Sequence, residues 1–342
     1  YIEMERAEAR VRHALVAEIE RNLEHVRAAV TDWRAMQAAM QADAARLTAN
    51  ADTAEDAALL NWFVAGNLTQ LAHEKWSRDG VVGEQLGLSR ARLEVPLLAD
   101  ASRQRAIEWF DAGNVQPLLL KSNCISTVHR RAPIDLVLVP IREGDTVTGV
   151  SIHGGLWTSA ALQADPAEVP VLRRNLAELR AKFGFDPSGH AGKALNHAIS
   201  TLPHDLTTAF NPESLEQLAL TAMSVADRPR SRLVLIKSAL GRHLFAFVWL
   251  GRDDVTTQRR LSIGDMLAQA ANASILNWSI AMEDGEAALI RYVLDLRQDG
   301  RMPDTADLDR RIERMVRGWR PAVEGALSEM VPEGATRMAL RF

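Results

Sequence analysis

The first 65 residues of the chain contain neither glycine nor proline. Apolar side chains recur in this segment at steps of three and four residues: Leu15, Ile19, Leu23, Val26, Val30, Trp33, Met36 and Met40. This spacing places them on one face of an α-helix. The pattern predicts a long amphipathic helix whose apolar stripe needs a partner surface. Thr53, with Asp56 three residues later, predicts the N-cap of a second helix that ends at Gly66.

Length and charge exclude several classes of protein. With 342 residues the chain is long enough for two or three domains, and its net charge of −4 gives no overall attraction to nucleic acid or to an anionic membrane. No run of about 18 apolar residues is present, so no segment is predicted to span a membrane. The single cysteine, Cys124, excludes an intrachain disulfide and suits a reducing cytoplasm. A charged N-terminus without a signal-peptide core, starting at Tyr1, is what an excised fragment would show.

From Leu68 to Trp157 the pattern changes to that of a sheet. A helix precedes short apolar strands and a tight turn: Ala101–Ala112, Pro117–Lys121, Ile134–Ile141, the turn Glu143–Asp145 and the strand Thr146–Trp157. These elements predict an antiparallel sheet with a helix packed on it, which is an α+β module.

Helical signals follow as far as Ala226. Asp165-Pro166 predicts a helical start, and the next apolar face is closed by a glycine: Val169, Leu172, Leu176, Leu179 and Phe183 before Gly184. A second helix is predicted over Lys193–Leu202. Asn211-Pro212-Glu213 predicts a third, because Asn caps a helix, Pro fits its first position and Glu favours its positive end.

The last segment alternates strands with two helices. Strands are predicted at 231–237, 243–250, 272–282, 286–297 and 336–342, and helices at 255–270 and 304–330. With the first strand set aside, the order is βαββαβ, the ferredoxin-like arrangement that ACT-type regulatory domains use. The fold class predicted for the whole chain is therefore α+β with several domains.

The sequence offers no complete catalytic or metal-binding motif. A dinucleotide site needs a Gly-rich turn between strand and helix, and no G-x-G-x-x-G is present. The glycines of Ser188–Lys193 fail the phosphate-loop pattern, since Pro187 and Ala194 occupy two of its required positions. No H-E-x-x-H occurs either. We therefore assign no catalytic residue, no metal ligand and no cofactor to the chain itself.

Four residues between 124 and 135 have the side chains of nucleophilic catalysis: Cys124, Ser126, His129 and Asp135. A hydrolase built on them is one hypothesis. In a strand, however, Ser126 and His129 would face opposite sides, and proximity in sequence does not create a triad. A structural turn, with Cys124 as a small core residue, is the competing interpretation.

Several blocks of the chain resemble, in the same order, the N-terminal non-catalytic region of the large bacterial NAD-specific glutamate dehydrogenases. The blocks are Arg27–Trp33, Asn61–Leu68, Ser126–Arg130, Gly155–Ala161, Pro170–Arg174, Gly184–Pro187 and Arg228–Leu233. The resemblance implies four parts: a helical segment (1–52), a PAS-like antiparallel module (53–163), a helical linker (164–228) and an ACT-like ferredoxin-like domain (229–342). It also implies a cytoplasmic homo-oligomer that deaminates L-glutamate with NAD in a C-terminal catalytic domain beyond this chain, which would be the main partner of the segment.

An effector site is predicted at the polar turn between the two apolar strands, at Lys121, Ser126, Thr127, His129 and Arg130. The effector expected from the resemblance is a small molecule such as an amino acid. The competing interpretation is that Ser126, Thr127 and His129 only satisfy nearby backbone groups. A second hypothesis for the whole chain is a structural scaffold that packs subunits through Trp-rich faces and the N-terminal stripe.

Overall fold

The computed structural model describes residues 9–91, 93–282, 287–296 and 299–316. It divides the chain into two compact units. One comprises Tyr1–Glu216 with Ser238–Leu240, and the other comprises Gln217–Lys237 with Gly241–Phe342. Both units combine helices with an antiparallel sheet, so the predicted α+β class is confirmed.

The first unit begins with the long helix α1 (Ala9–Thr48), as the glycine-free segment predicts. Its apolar residues do not form one buried stripe, because Met36 and Met40 are buried whereas the stripe from Ile19 to Trp33 is exposed. Helix α2 (Ala54–Trp62) follows. Thr53 precedes it as predicted, but its hydroxyl donates to the carbonyl of Leu47 (2.6 Å) and does not cap the helix.

The sheet of the first unit has five strands: β1 (Leu68–Ser77), β2 (Val82–Gly87), β3 (Leu118–Ile125), β4 (Pro133–Glu143) and β5 (Thr146–Trp157). Their order is β2-β1-β5-β4-β3, and all neighbours are antiparallel. Helix α3 (Asp100–Asp111) contributes Ala106, Ile107 and Phe110 to the core of this sheet. The predicted helix and the three predicted strands are therefore present, and the sheet contains two strands more.

Five helices follow the sheet: α4 (Ser159–Leu162), α5 (Leu172–Phe183), α6 (His190–Ser200), α7 (His204–Thr207) and α8 (Pro212–Asp227). The helical start predicted at Asp165 is wrong. There the Asp165 carboxylate accepts a hydrogen bond from the Ala167 N–H (2.8 Å) and holds a turn, and Pro170 disfavours a helical conformation in the residue before it. Gly184 ends α5 in the left-handed conformation (φ 65°), as predicted.

The sheet of the second unit contains β6 (Arg232–Lys237), β7 (His243–Gly251), β8 (Ala273–Met282) and β9 (Ala287–Leu296), in the order β6-β7-β9-β8. Helices α9 (Thr257–Ala271) and α10 (Thr305–Val316) share one apolar core with it. β6, which the βαββαβ count sets aside, pairs with β7 along its whole length and belongs to the sheet. The strand predicted at 336–342 and the end of the last predicted helix lie outside the described residues.

Candidate functional site

A buried ion cluster lies where β3 meets β4. The ammonium group of Lys121 contacts the carboxylates of Asp135 and Asp205, and the three side chains are 7%, 10% and 9% exposed. Lys121 and Asp135 face each other because the two strands pair at these positions, and Asp205 comes from α7. Lys121 is thus paired with two carboxylates in a poorly solvated place.

The cluster borders a narrow cleft with room for about one water molecule. Its walls combine the two carboxylates with apolar side chains: Phe63, Leu68, Leu119, Leu120, Leu136, Val137 and Trp157. Phe63 and Trp157 meet edge to face with their ring centroids 5.1 Å apart, which fixes the shape of that wall. Small-molecule sites are far larger than this cleft, so it does not hold an amino acid in the described conformation.

The four other predicted site residues lie in the loop between β3 and β4, and they have separate partners. The Ser126 hydroxyl donates to the carbonyl of Val128 (2.8 Å) and accepts from the N–H of the same residue (3.1 Å), which closes the turn. Thr127 hydrogen-bonds to His25 of α1 (2.8 Å). The Arg130 guanidinium donates to the carbonyl of Trp157 (2.8 Å).

His129 adopts a positive φ of 69°, a conformation that side chains other than glycine seldom take. The loop thus holds its shape largely through its own polar groups and through α1. These contacts are of the kind that the local-satisfaction interpretation predicts. Whether the loop also binds an effector stays a prediction.

Cys124 lies in the apolar core of the first sheet, as the core interpretation predicts. Burial raises the pKa of its thiol to about 11. The group is therefore protonated at neutral pH, whereas a nucleophilic cysteine must be a thiolate. This finding weighs against the hydrolase hypothesis.

A second buried polar cluster, which we call the histidine pair, consists of His73 and His153 with Asp43. The two rings stack with their centroids 4.6 Å apart because β1 and β5 place these residues opposite each other. His153 Nε2 lies 2.7 Å from a carboxylate oxygen of Asp43, which projects from α1. All three side chains are at most 2% exposed.

The contacts of His73 indicate which of its ring nitrogens carries the proton. His73 Nδ1 lies 3.0 Å from the carbonyl of Ile152 and 3.2 Å from His153 Nδ1, and since a carbonyl only accepts, His73 Nδ1 is the protonated nitrogen. Burial lowers the pKa of His73 to about 4, so this ring is neutral at pH 7. Burial alone would raise the pKa of Asp43, but the hydrogen bond and charge of His153 and the charge of Arg46 lower it.

The sequence patterns predicted neither the place of Asp205 in the ion cluster nor the histidine pair. Asp205 carries no local signal, because it reaches Lys121 from 84 residues away. His73 and His153 are 80 residues apart, and only the strand register brings them together. Contacts between residues so far apart leave no periodic pattern in a single sequence. Asp135, by contrast, could have been paired with Lys121 from the predicted hairpin of β3 and β4.

Neither a metal site nor a membrane-spanning helix is found in the described part of the chain. No group of three His, Cys, Asp or Glu side chains there is arranged to hold a metal ion. Among the helices that the described ranges contain, none is long and apolar enough to cross a membrane.

Two family models match adjacent parts of the chain. The model "Glutamate dehydrogenase, helical motif 1" matches residues 169–228, and the model "Glutamate dehydrogenase, ACT2 domain" matches residues 232–320. The first range covers α5 to α8, and the second covers most of the second unit.

Three curated proteins, each named NAD-specific glutamate dehydrogenase, are similar along most of the chain. Those of Halomonas elongata and Pseudomonas aeruginosa are both 27% identical and cover 94% and 97% of it, and that of Mycobacterium tuberculosis is 26% identical over 85%. The chain spans only 21%, 22% and 18% of their respective lengths. One solved structure, the Erythrobacter litoralis EL346 blue-light activated histidine kinase, aligns with 65% of this chain and 87% of its own at 12% identity. Its TM-score of 0.15 carries no argument about fold.

Proposed function

Since the chain is a relative of the NAD-specific glutamate dehydrogenases over nearly its whole length, we propose that it is a regulatory segment of such an enzyme. The parent reaction would be the oxidation of L-glutamate by NAD and water to 2-oxoglutarate, ammonia and NADH. The observation that carries the proposal is the pair of adjacent family matches, one of them an ACT domain, in a chain that spans about a fifth of its relatives.

In this proposal the chain binds a small effector and passes the signal to a catalytic domain elsewhere in the parent protein, where NAD binds. The proposed effector is an amino acid. Its support is the match to an ACT domain model, together with the predicted turn at Lys121, which the structure places beside Asp205 in a buried ion cluster. Coupling of this kind typically changes affinity or activity by about 1–3 kcal/mol.

The proposal includes a homo-oligomer in the cytoplasm, with the PAS-like module and the ACT-like domain as its regulatory parts. The second candidate function is a purely structural scaffold that assembles subunits without an effector. One observation favours it: the predicted effector loop is held by its own hydrogen bonds and by His25.

A thermal-denaturation screen of the chain against amino acids, NAD, NADH and nucleotides tests the proposal. A ligand at about 100 times its dissociation constant stabilises the protein by about 2.7 kcal/mol, which gives a measurable shift in Tm. We expect a shift with one amino acid that is lost in Asp205→Asn. The matched control Glu84→Gln, in an exposed ion pair of the same unit, should keep it. A screen without any shift would support the scaffold.

A further inference from the structure

The exposed face of α1 has the repeat of a coiled coil. Six apolar side chains on it follow steps of three, four, three, four and three residues, and each is 39–63% exposed: Val16, Ile19, Leu23, Val26, Val30 and Trp33. We call them the α1 seam. Alternation of three and four is the 3.5-residue period of the a and d positions of a heptad, which a second helix covers. A helix that only packs on its own domain has no need of this second apolar face.

A neighbouring face of α1 is already in use. His25, Ala29 and Met36 are buried against the rest of the first unit, and Asp32 accepts a hydrogen bond from the Gly87 N–H (2.8 Å) and forms an ion pair with Arg90. The helix is therefore held in place by its own unit while the α1 seam faces outward. A partner that binds the seam meets a helix that is already formed, so no folding cost opposes the contact.

From this geometry we propose that the α1 seam binds the α1 seam of a second copy of the chain, as an antiparallel coiled coil. In that arrangement Val16 packs against Trp33 of the second copy, Ile19 against Val30 and Leu23 against Val26. Each pair occurs twice, so six layers cover about 26 Å of helix. The contact has twofold symmetry and closes on itself, as most dimer interfaces do.

Charge beside the α1 seam selects this direction. Glu20 and Arg27 are both exposed and both occupy e positions of the heptads. In an antiparallel pair Glu20 faces Arg27 of the second copy, twice. A parallel pair would instead set Arg27 beside Asn22 and stack Trp33 on its own copy, with no opposite charges in register. Opposite charges at these flanking positions are what sets partner choice and orientation in coiled coils.

This proposal names the surface through which the homo-oligomer of the proposed function would form. It rests on the proposed function only for the expectation that the chain self-associates. Sedimentation of the chain should give a dimer of twice the 37.7 kDa chain mass. Leu23→Glu with Val26→Glu should give a monomer at the same concentration, with unchanged circular dichroism. The matched control Ala35→Glu, exposed on the same helix outside the seam, should remain a dimer.

Two further variants test the direction. Glu20→Arg should weaken the dimer at least about tenfold at low salt, and adding Arg27→Glu should restore it, because both e-position pairs regain opposite charges. In a mixture of Val16→Cys and Trp33→Cys chains, oxidation should link one variant to the other. Val16→Cys alone should not link to itself, since its two copies would lie about 26 Å apart.

The outcomes separate the proposals. A dimer that survives Leu23→Glu with Val26→Glu would overturn the α1 seam while leaving self-association in place. A wild-type monomer would overturn both, and would leave effector binding to the thermal screen. Self-linking of Val16→Cys would overturn the antiparallel arrangement.

Discussion

The two sheets of this protein differ in what they bury. The first sheet encloses charged and titratable side chains, among them Lys121, Asp135, His73 and His153. Among the described residues of the second unit, the buried polar side chains are Ser231 and His243, and the apolar core contains Tyr292, whose hydroxyl donates to a backbone carbonyl (2.7 Å). A core of the second kind gains its stability mainly from packing. The first kind also binds protons and holds buried charge, so its stability depends on pH and on the integrity of each ion pair.

The largest effect is expected from the ion cluster of the first sheet. Lys121→Met would remove the cation that contacts both buried carboxylates, and we expect a loss of about 3–5 kcal/mol in the free energy of unfolding. Urea titration at pH 7 measures it. Adding Asp135→Asn and Asp205→Asn should recover much of the loss, because the two charges that contact Lys121 are then removed with it.

The matched control for this variant is Lys75→Met, which breaks an exposed pair with Glu84 (2.9 Å). Exposed pairs contribute about 0–1 kcal/mol, so the control should change little. If both lysine variants lowered the free energy of unfolding by the same small amount, the buried ion cluster would not be a source of stability that separates the first sheet from the second.

A packing defect in the second sheet should lower the free energy of unfolding nearly as much as Lys121→Met does. The size of this loss should not depend on pH. Ile290→Ala empties a fully buried position, and we expect a loss of about 2–5 kcal/mol. Urea titrations at pH 5 and pH 7.5 should give the same difference from wild type. Arg310→Ala, at an exposed position of the same unit, should stay within about 0.5 kcal/mol.

The histidine pair should make the first sheet less stable in acid. The pKa of His73 is about 4 in the folded chain and about 6.5 when unfolded, so the unfolded state binds the proton first as the pH falls. The contribution of His73 to the free energy of unfolding is complete above pH 6.5. It decreases by about 2–3 kcal/mol as the pH falls towards 4.

His73→Gln isolates this contribution, since a glutamine cannot bind the proton. Wild type should lose about 2–3 kcal/mol more than the variant between pH 7 and pH 4. The comparison is needed because Asp56 acts in the opposite direction. Burial raises its pKa to about 6, so protonation of that carboxyl favours the folded state in the same range. Parallel stability curves for the two proteins would contradict the role of His73.

How well the sequence predicted each element depended on how local its signal was. The long helix α1, the end of α5 at Gly184 and the cap at Asn211, which accepts from the Ser214 N–H (2.8 Å), are all visible in short stretches of sequence and are confirmed. β2 was missed because it is a largely exposed edge strand with little apolar alternation. The family resemblance was also readable, since it rests on blocks of sequence in order, and the comparisons confirm it.

The candidate site was only partly predictable. The sequence pointed to Lys121 through its place between apolar strands, but it placed Lys121 in one site with Ser126, Thr127, His129 and Arg130. In the structure the recorded partners of Lys121 are Asp135 and Asp205, whereas Thr127 contacts α1 and Arg130 contacts β5. Side-chain direction in a loop depends on its neighbours in space, which local patterns do not encode.

The sequence by itself determined the α+β class, the long first helix and the relation to a family of dehydrogenases, because periodicity, caps and ordered motifs are properties of neighbouring residues. The tertiary structure decided which polar groups share a buried environment and which half of the helical stripe stays exposed. Strand register and helix docking join residues that lie up to 110 positions apart, as Asp43 and His153 do. Those contacts follow from the packing of the whole unit, and they are where its charge and its pH dependence arise.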